Sequence, residues 1–236
     1  MSTFPTTRWT LVVRATAEDF AVRQEALAEL LSQNWYPLYA FLKRSGKPDD
    51  EIEDLIQGFY LRILDSDLLT SVDQHRRGRF RSFLLVCLKN FVANEWQRDQ
   101  AVKRGGNWKK LSLDLSTANE RYQIEPSHDL TPQRAFDRAW ALDMLDRSLQ
   151  EIADRWQASG KGRKFDLLKG YLLHTDSLPR DEVAAELNMT PAALKVAVHR
   201  LRAEFRSALC RQVAETLDRD DLLEDEINRL FSALSM

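Results

Sequence analysis

Two segments between Ile52 and Val92 carry apolar residues in an unbroken helical period, and this bounds the fold more tightly than any other feature. Ile52, Leu55, Ile56, Phe59, Tyr60, Ile63 and Leu64 recur every three or four residues, which places them on one stripe of an α-helix. Phe80, Phe83, Leu84, Cys87, Leu88, Phe91 and Val92 repeat the pattern. Two such stripes bury each other, so the spacing predicts a helical domain. A further helix is expected over 21–42, where Leu27, Leu30, Leu31 and Asn34 keep the period until Gly46-Lys47-Pro48 breaks it. Others are expected over 133–158 and 164–174. No segment alternates apolar and polar residues as a half-buried strand does. The expected fold class is all-α: two small helical domains joined by a flexible linker.

A chain of 236 residues suits two such domains. The first is expected over 20–106, after an N-terminal extension of residues 1–19. Residues 107–132 hold no sustained period and read as the linker. Thr131-Pro132 is a helix start, threonine as cap and proline in the first turn. It opens the second domain, expected over 133–212, and an acidic extension fills 213–236. The longest apolar run, Phe83 to Leu88, is far too short to span a bilayer. The N-terminus shows no secretory pattern. Cys87 and Cys210 sit at apolar positions in different halves and read as buried thiols. A cytoplasmic protein with no membrane insertion is expected.

Net charge is only −2, yet it is strongly segregated. Residues 76–110 hold ten basic and two acidic side chains, a local charge of +8. Residues 195–211 carry +4, and residues 215–226 carry −6. Surfaces of opposite sign suggest different partners.

The sharpest local pattern lies between Leu178 and Leu209. A short helix over 180–187 is followed by the turn Asn188-Met189-Thr190 and by a second helix starting at Pro191, which Thr190 caps. On that second helix Leu194, Ala197, Val198, Leu201, Phe205, Ala208 and Leu209 share one face, while Lys195, His199, Arg202 and Arg206 form a cationic stripe on another. A helix, a tight turn and a basic helix make a helix-turn-helix, whose second helix enters the major groove. Thr190, Ala192, Lys195, His199, Arg200 and Arg202 are its candidate DNA contacts.

A second constellation spans residues 54–98. Glu51, Glu53, Asp54 and Gln57 lie off the apolar stripe of their helix. The following helix is basic at its entrance and then carries amides and an aromatic. Arg79, Arg81, Lys89, Asn90, Asn94, Trp96 and Arg98 are candidates for single-stranded DNA, where cations track the backbone and amides or rings take unstacked bases. Phe80, Phe83 and Phe91 keep the helical period and read as core. No phosphate-binding loop, nucleophile motif or metal-ligand spacing is present, so no catalytic residue, cofactor or metal is expected. The residues alone leave three classes open: an initiation factor, a helix-turn-helix regulator with an N-terminal sensor or dimerisation domain, and an acidic-tailed adaptor.

The segment Ile52-Glu-Asp-Leu-Ile-Gln-Gly-Phe-Tyr-Leu-Arg-Ile-Leu64 resembles region 2.2 of bacterial sigma factors. Phe80 to Asn94 resembles regions 2.3 and 2.4, and Leu178 to Arg206 resembles region 4.2. Their order and spacing, with no third domain between, are similar to the extracytoplasmic-function (ECF) group of the sigma-70 family. The resemblance covers about residues 20–105 and 133–210. It implies a sigma factor that joins core RNA polymerase, through the β′ clamp and the β flap, to promoter DNA. Glu51, Glu53, Asp54 and Gln57 would then face the polymerase. The helix bearing Asn90 and Asn94 would open and read the −10 element, and the helix from Thr190 would read the −35 element. An anti-sigma factor or a regulatory kinase is a further expected partner. Two positions depart from the family pattern: Gly58 stands where glutamate is usual, at a helix-stability cost of about 1 kcal/mol relative to alanine, and Phe83 replaces tryptophan.

The acidic extension has its own pattern. Ile227, Leu230, Phe231 and Leu234 predict a terminal amphipathic helix. Two roles are expected for it: completing the core of the C-terminal domain, or laying its acids over the cationic stripe of Lys195, His199, Arg202 and Arg206.

Overall fold

The computed structural model describes residues 19–65, 79–98, 120–122, 130–172, 179–217 and 222–235, together with Arg14 and Ala17. It is all-α, and among the described residues there is no β-strand. The helices are α1 (Phe20–Arg44), α2 (Asp49–Asp65), α3 (Phe80–Arg98), α4 (Pro132–Ala158), α5 (Gly162–Leu168), α6 (Arg180–Glu186), α7 (Pro191–Ala214) and α8 (Leu223–Leu234). Most of the N-terminal extension and of the expected linker lies outside the described residues.

The chain divides into two compact units, one of Met1–Asp143 with Ala214–Met236 and one of Met144–Val213. The division differs from the expected boundaries in two ways. The first part of α4 belongs to the N-terminal unit, and so does the acidic extension. The extension therefore does not complete the C-terminal core.

In the N-terminal unit, α1 begins where the Asp19 carboxylate accepts the amides of Ala21 at 2.8 Å and Val22 at 3.3 Å. The helix ends at Gly46, whose φ of 82° is one that residues with a β-carbon avoid. Lys43 Nζ and Tyr39 Oη both donate to the Asp49 carboxylate at 2.8 Å, tying the end of α1 to the first residue of α2. The Lys43 hydrogen bond, reinforced by Tyr39, holds that carboxyl below its ordinary pKa, while burial pushes the Tyr39 hydroxyl up. Ile52, Ile56, Phe59, Tyr60 and Ile63 of α2 are buried, as are Phe80, Leu84, Leu88 and Phe91 of α3. Phe59 meets Phe91 at 5.7 Å between ring centres, and Phe80 meets Trp140 of α4 at 6.2 Å. Phe83 is half-buried and lies against Phe80. Asn34 sits fully buried in this apolar stripe because its side-chain amide donates to the Leu30 carbonyl.

The C-terminal unit packs Ile152, Phe165, Leu168, Tyr171, Val183, Ala184, Leu194, Leu201 and Ala208 into one core. The helix expected over 164–174 is shorter. It ends at Leu168, and a 3-10 turn carries the chain from Lys169 through Gly170 to Tyr171. Gly170 is the weakest helix former in the segment, which accounts for the tightening. Cys87 and Cys210 are free, and both are half-buried rather than buried. Burial pushes the Cys87 thiol up to about 11, which leaves it unreactive at neutral pH.

Candidate nucleic-acid interface

In the C-terminal unit, α6 and α7 are joined by a turn whose geometry its residues dictate. Asn188 takes φ 51°, which asparagine tolerates better than most side chains. Its amide bonds to the Ala185 carbonyl at 3.1 Å, and the Met189 amide to the Ala184 carbonyl at 2.8 Å. These two bonds close the end of α6 in a Schellman motif. Thr190 then caps α7, its Oγ accepting the Ala193 amide at 3.2 Å, with Pro191 in the first turn. Leu194 and Leu201 anchor α7 in the core. The opposite face presents Ala192, Lys195, Val196, His199, Arg200 and Arg206 to solvent. None of these makes an ion pair or side-chain hydrogen bond among the described residues. Arg202 departs from the expected free stripe. Although exposed, it donates through one terminal nitrogen to the Tyr171 carbonyl at 2.8 Å, which anchors its guanidinium to the unit's own backbone.

In the N-terminal unit, Glu51 and Asp54 of α2 are exposed, and Glu53 and Gln57 are half-buried. Gln57 donates to Glu53 at 3.0 Å, and Glu51 pairs with Lys47 at 3.2 Å. Gly58 is half-buried on the same helix. A β-carbon there would stand 3.3 Å from Cζ of Phe91, which is closer than such contacts normally come. Of the two positions that depart from the family pattern, Gly58 is thus the one over which the Phe91 ring lies.

On α3, Lys89, Asn90 and Asn94 are exposed, and Lys89 donates to Gln133 of α4 at 2.9 Å. The side chains of Trp96 and Arg98 lie outside the described residues. Arg79 and Arg81 are not free cations. Arg79 is ion-paired with Asp225 and, through Nε at 2.6 Å, with Glu226. Arg81 donates through both Nε and a terminal nitrogen to Glu226, and also to Asp137 of α4. Asp225 and Glu226 belong to α8, so two of the acids expected over the stripe of α7 pair with these arginines. Glu226 is only 1% exposed. The buried face of α8 holds Glu226, Leu230 and Ala233, while Phe231, expected on the apolar face, is half exposed. Asp218, Asp220 and Asp221 lie outside the described residues.

The sequence reading missed the partners of Arg79 and Arg81, because about 145 residues separate them from Glu226 and no local period links the two. The one available signal was the place of Glu226 four residues before Leu230, which marks it as an inward position once the helix is drawn.

The described residues are thus all-α, with an exposed cationic helix face in one unit and an exposed acidic helix face in the other. The family model described as ECF sigma factor matches residues 40–211. That span is well over half of the chain, which therefore belongs to the ECF sigma factors of the sigma-70 family. It has a sigma factor's role in transcription initiation, binding core RNA polymerase and promoter DNA. No curated protein and no solved structure matches the chain. No described helix is long and apolar enough to cross a membrane.

Proposed function

We propose that this sigma factor places three helix faces on three targets. The exposed side of α2, with Asp54 and Glu51 at its centre and Glu53 and Gln57 beside them, docks on the β′ clamp of core polymerase. The C-terminal unit seats the N-terminal turns of α7 in the major groove of the −35 element, and its other surface meets the β flap. Lys89, Asn90 and Asn94 of α3 take the opened strand of the −10 element. The observation that carries this reading is the outer face of α7, where Lys195, His199 and Arg200 stand exposed and uncommitted on a helix whose other side is fixed in the core. Cations held on a rigid helix neutralise phosphates, and side chains near its N-terminus reach base edges. Trp96 and Arg98, further along α3, are assigned to the same strand from the sequence alone.

Two variants separate the roles. D54R/Q57A is expected to fold normally by circular dichroism and to lose capture by core polymerase. K195A is expected to retain polymerase, weaken promoter binding and lower the slope of log affinity against log salt by about one. A folded D54R/Q57A protein that still binds core polymerase would refute the assignment of α2.

A further inference from the structure

Arg79 and Arg81 flank the start of α3, where the helix dipole already concentrates positive charge and where α3 supplies no acid of its own. Two cations at that end repel the dipole and each other unless anions compensate them. The C-terminal segment supplies that compensation. The Phe80 amide, one of the open donors of the first turn, bonds to the Thr216 carbonyl at 2.9 Å. Arg79 pairs with Leu217 in an isolated backbone bridge. Asp225 and Glu226 then take the two guanidinium groups. At the other end of α8, Arg138 donates to the Leu234 carbonyl at 3.0 Å. Leu217, Leu230 and Ala233 are buried with it. All of these groups belong to the N-terminal unit, and α8 lies beyond the residues that the family model matches.

We propose that Arg79, Arg81 and the start of α3 form a binding site for the phosphodiester backbone of single-stranded DNA, and that the carboxylates of Asp225 and Glu226 occupy it as an internal competitor. This deepens the proposed role of α3 and rests on it. A glutamate held between two arginines at a helix N-terminus stands where a phosphate oxygen pair would stand, because both are bidentate anions matched to the guanidinium fork. Binding of the strand and docking of α8 are then mutually exclusive. The apolar burial of Leu217, Leu230 and Ala233 makes the competitor strong, since exposed ion pairs alone would be screened by salt. The two arginines are not equivalent. Asp137 stays with Arg81 when α8 leaves, so Arg79 is the cation that release exposes most.

The test uses the full chain and a fluorescent single-stranded oligonucleotide at low salt. The D225N/E226Q variant is expected to bind it at least tenfold tighter than the wild type. Adding R79Q to that variant should return the affinity to the wild-type level. D225N alone, at a half-exposed site that does not endanger folding, should give a smaller gain in the same direction. Hydrogen exchange supplies the independent readout: saturating oligonucleotide should speed exchange of the amides over 223–234 in the wild type. Equal affinity of wild type and D225N, with α8 equally protected with and without oligonucleotide, would overturn the competition. The underlying reading is tested apart from it, by promoter opening in the holoenzyme with K89A/N90A. Normal opening there would remove the DNA role of α3 and this proposal with it. Impaired opening together with an indifferent tail would remove the proposal alone.

Discussion

Gly58 of α2 lies beneath the ring of Phe91, so that a β-carbon at position 58 would meet Cζ at 3.3 Å. An exposed mid-helix glycine gains about 1 kcal/mol when replaced by alanine. Here the same change must push aside a ring that is itself packed on Phe59 at 5.7 Å. The G58A variant is therefore expected to gain less than about 0.5 kcal/mol. In an F91L background, where the ring is gone, the same change should recover the full value of about 1 kcal/mol. Urea unfolding of the four proteins closes the cycle. A full gain in the wild-type background would show that Phe91 does not constrain position 58.

The cluster around Arg81 joins three carboxylates, Asp137, Asp225 and Glu226, to Arg79, Arg81 and, through Asp225, Arg229. Asp137 is the member whose carboxyl suffers most from its surroundings. Burial pushes its carboxyl above the ordinary value, although Arg81 pulls the other way. A carboxyl whose pKa is higher in the folded state binds protons more readily there than in the unfolded chain. Its cost to stability is complete above the folded pKa and is relieved as pH falls through it. D137N removes that cost and keeps an oxygen to accept from Arg81. It should melt above the wild type near neutral pH, with the difference closing as pH is lowered toward the ordinary carboxylate range. Breaking the centre of the cluster has the opposite sign: E226A should cost about 1–3 kcal/mol, because half-buried Arg79 and Arg81 each lose a carboxylate and keep only Asp225 and Asp137. A melting difference for D137N that widens on acidification would contradict this account of Asp137.

What was legible in the sequence is what short-range physics decides. The starts of α4 and α7 follow from Thr131-Pro132 and Thr190-Pro191, where a cap oxygen and a fixed φ act within one turn. The buried stripe from Ile52 to Ile63 follows from its spacing alone. The long-range partners were not legible. The orientation of Glu226 depends on Arg79 and Arg81, and the reason for Gly58 is a ring on another helix. The Arg202 contact depends on a backbone carbonyl 31 residues away. In each case a residue's local pattern gave one role, solvated charge or weak helix former, and a contact from elsewhere in its own unit assigned another.

The turn between α6 and α7 offers a local test. Asn188 holds φ 51° and sets the exit direction of α6. Alanine at this position should cost up to about 1 kcal/mol, since it keeps a β-carbon in the left-handed region without the short polar side chain that lets asparagine adopt it. Glycine accepts the angle freely but loses more freedom on folding, so N188G should stay within about 0.5–1 kcal/mol of the wild type. Denaturant midpoints of the two variants give the comparison. Equal losses for alanine and glycine would mean that the positive φ is not what position 188 contributes.

Val196 supports the most specific prediction about DNA. It is 49% exposed on α7, with Lys195, His199 and Arg200 exposed beside it. An apolar side chain in the middle of a cationic face gains nothing from water. In the major groove it can meet the C5 methyl group of thymine, the one apolar feature that base edges present there. Burying such a methyl is worth about 0.8 kcal/mol, or roughly fourfold in affinity. The experiment starts from a −35 sequence selected by transcription with core polymerase on a random promoter library. Each thymine in it is then replaced singly by deoxyuridine, which removes only the methyl group. One replacement is expected to weaken wild-type binding about fourfold and to leave V196A unaffected. V196A itself should bind the thymine-containing site about fourfold less well and should fold at least as stably, since alanine is the better helix former. If every deoxyuridine replacement affects wild type and V196A alike, Val196 reads no methyl group, and the specificity of α7 resides in its cations and its caps.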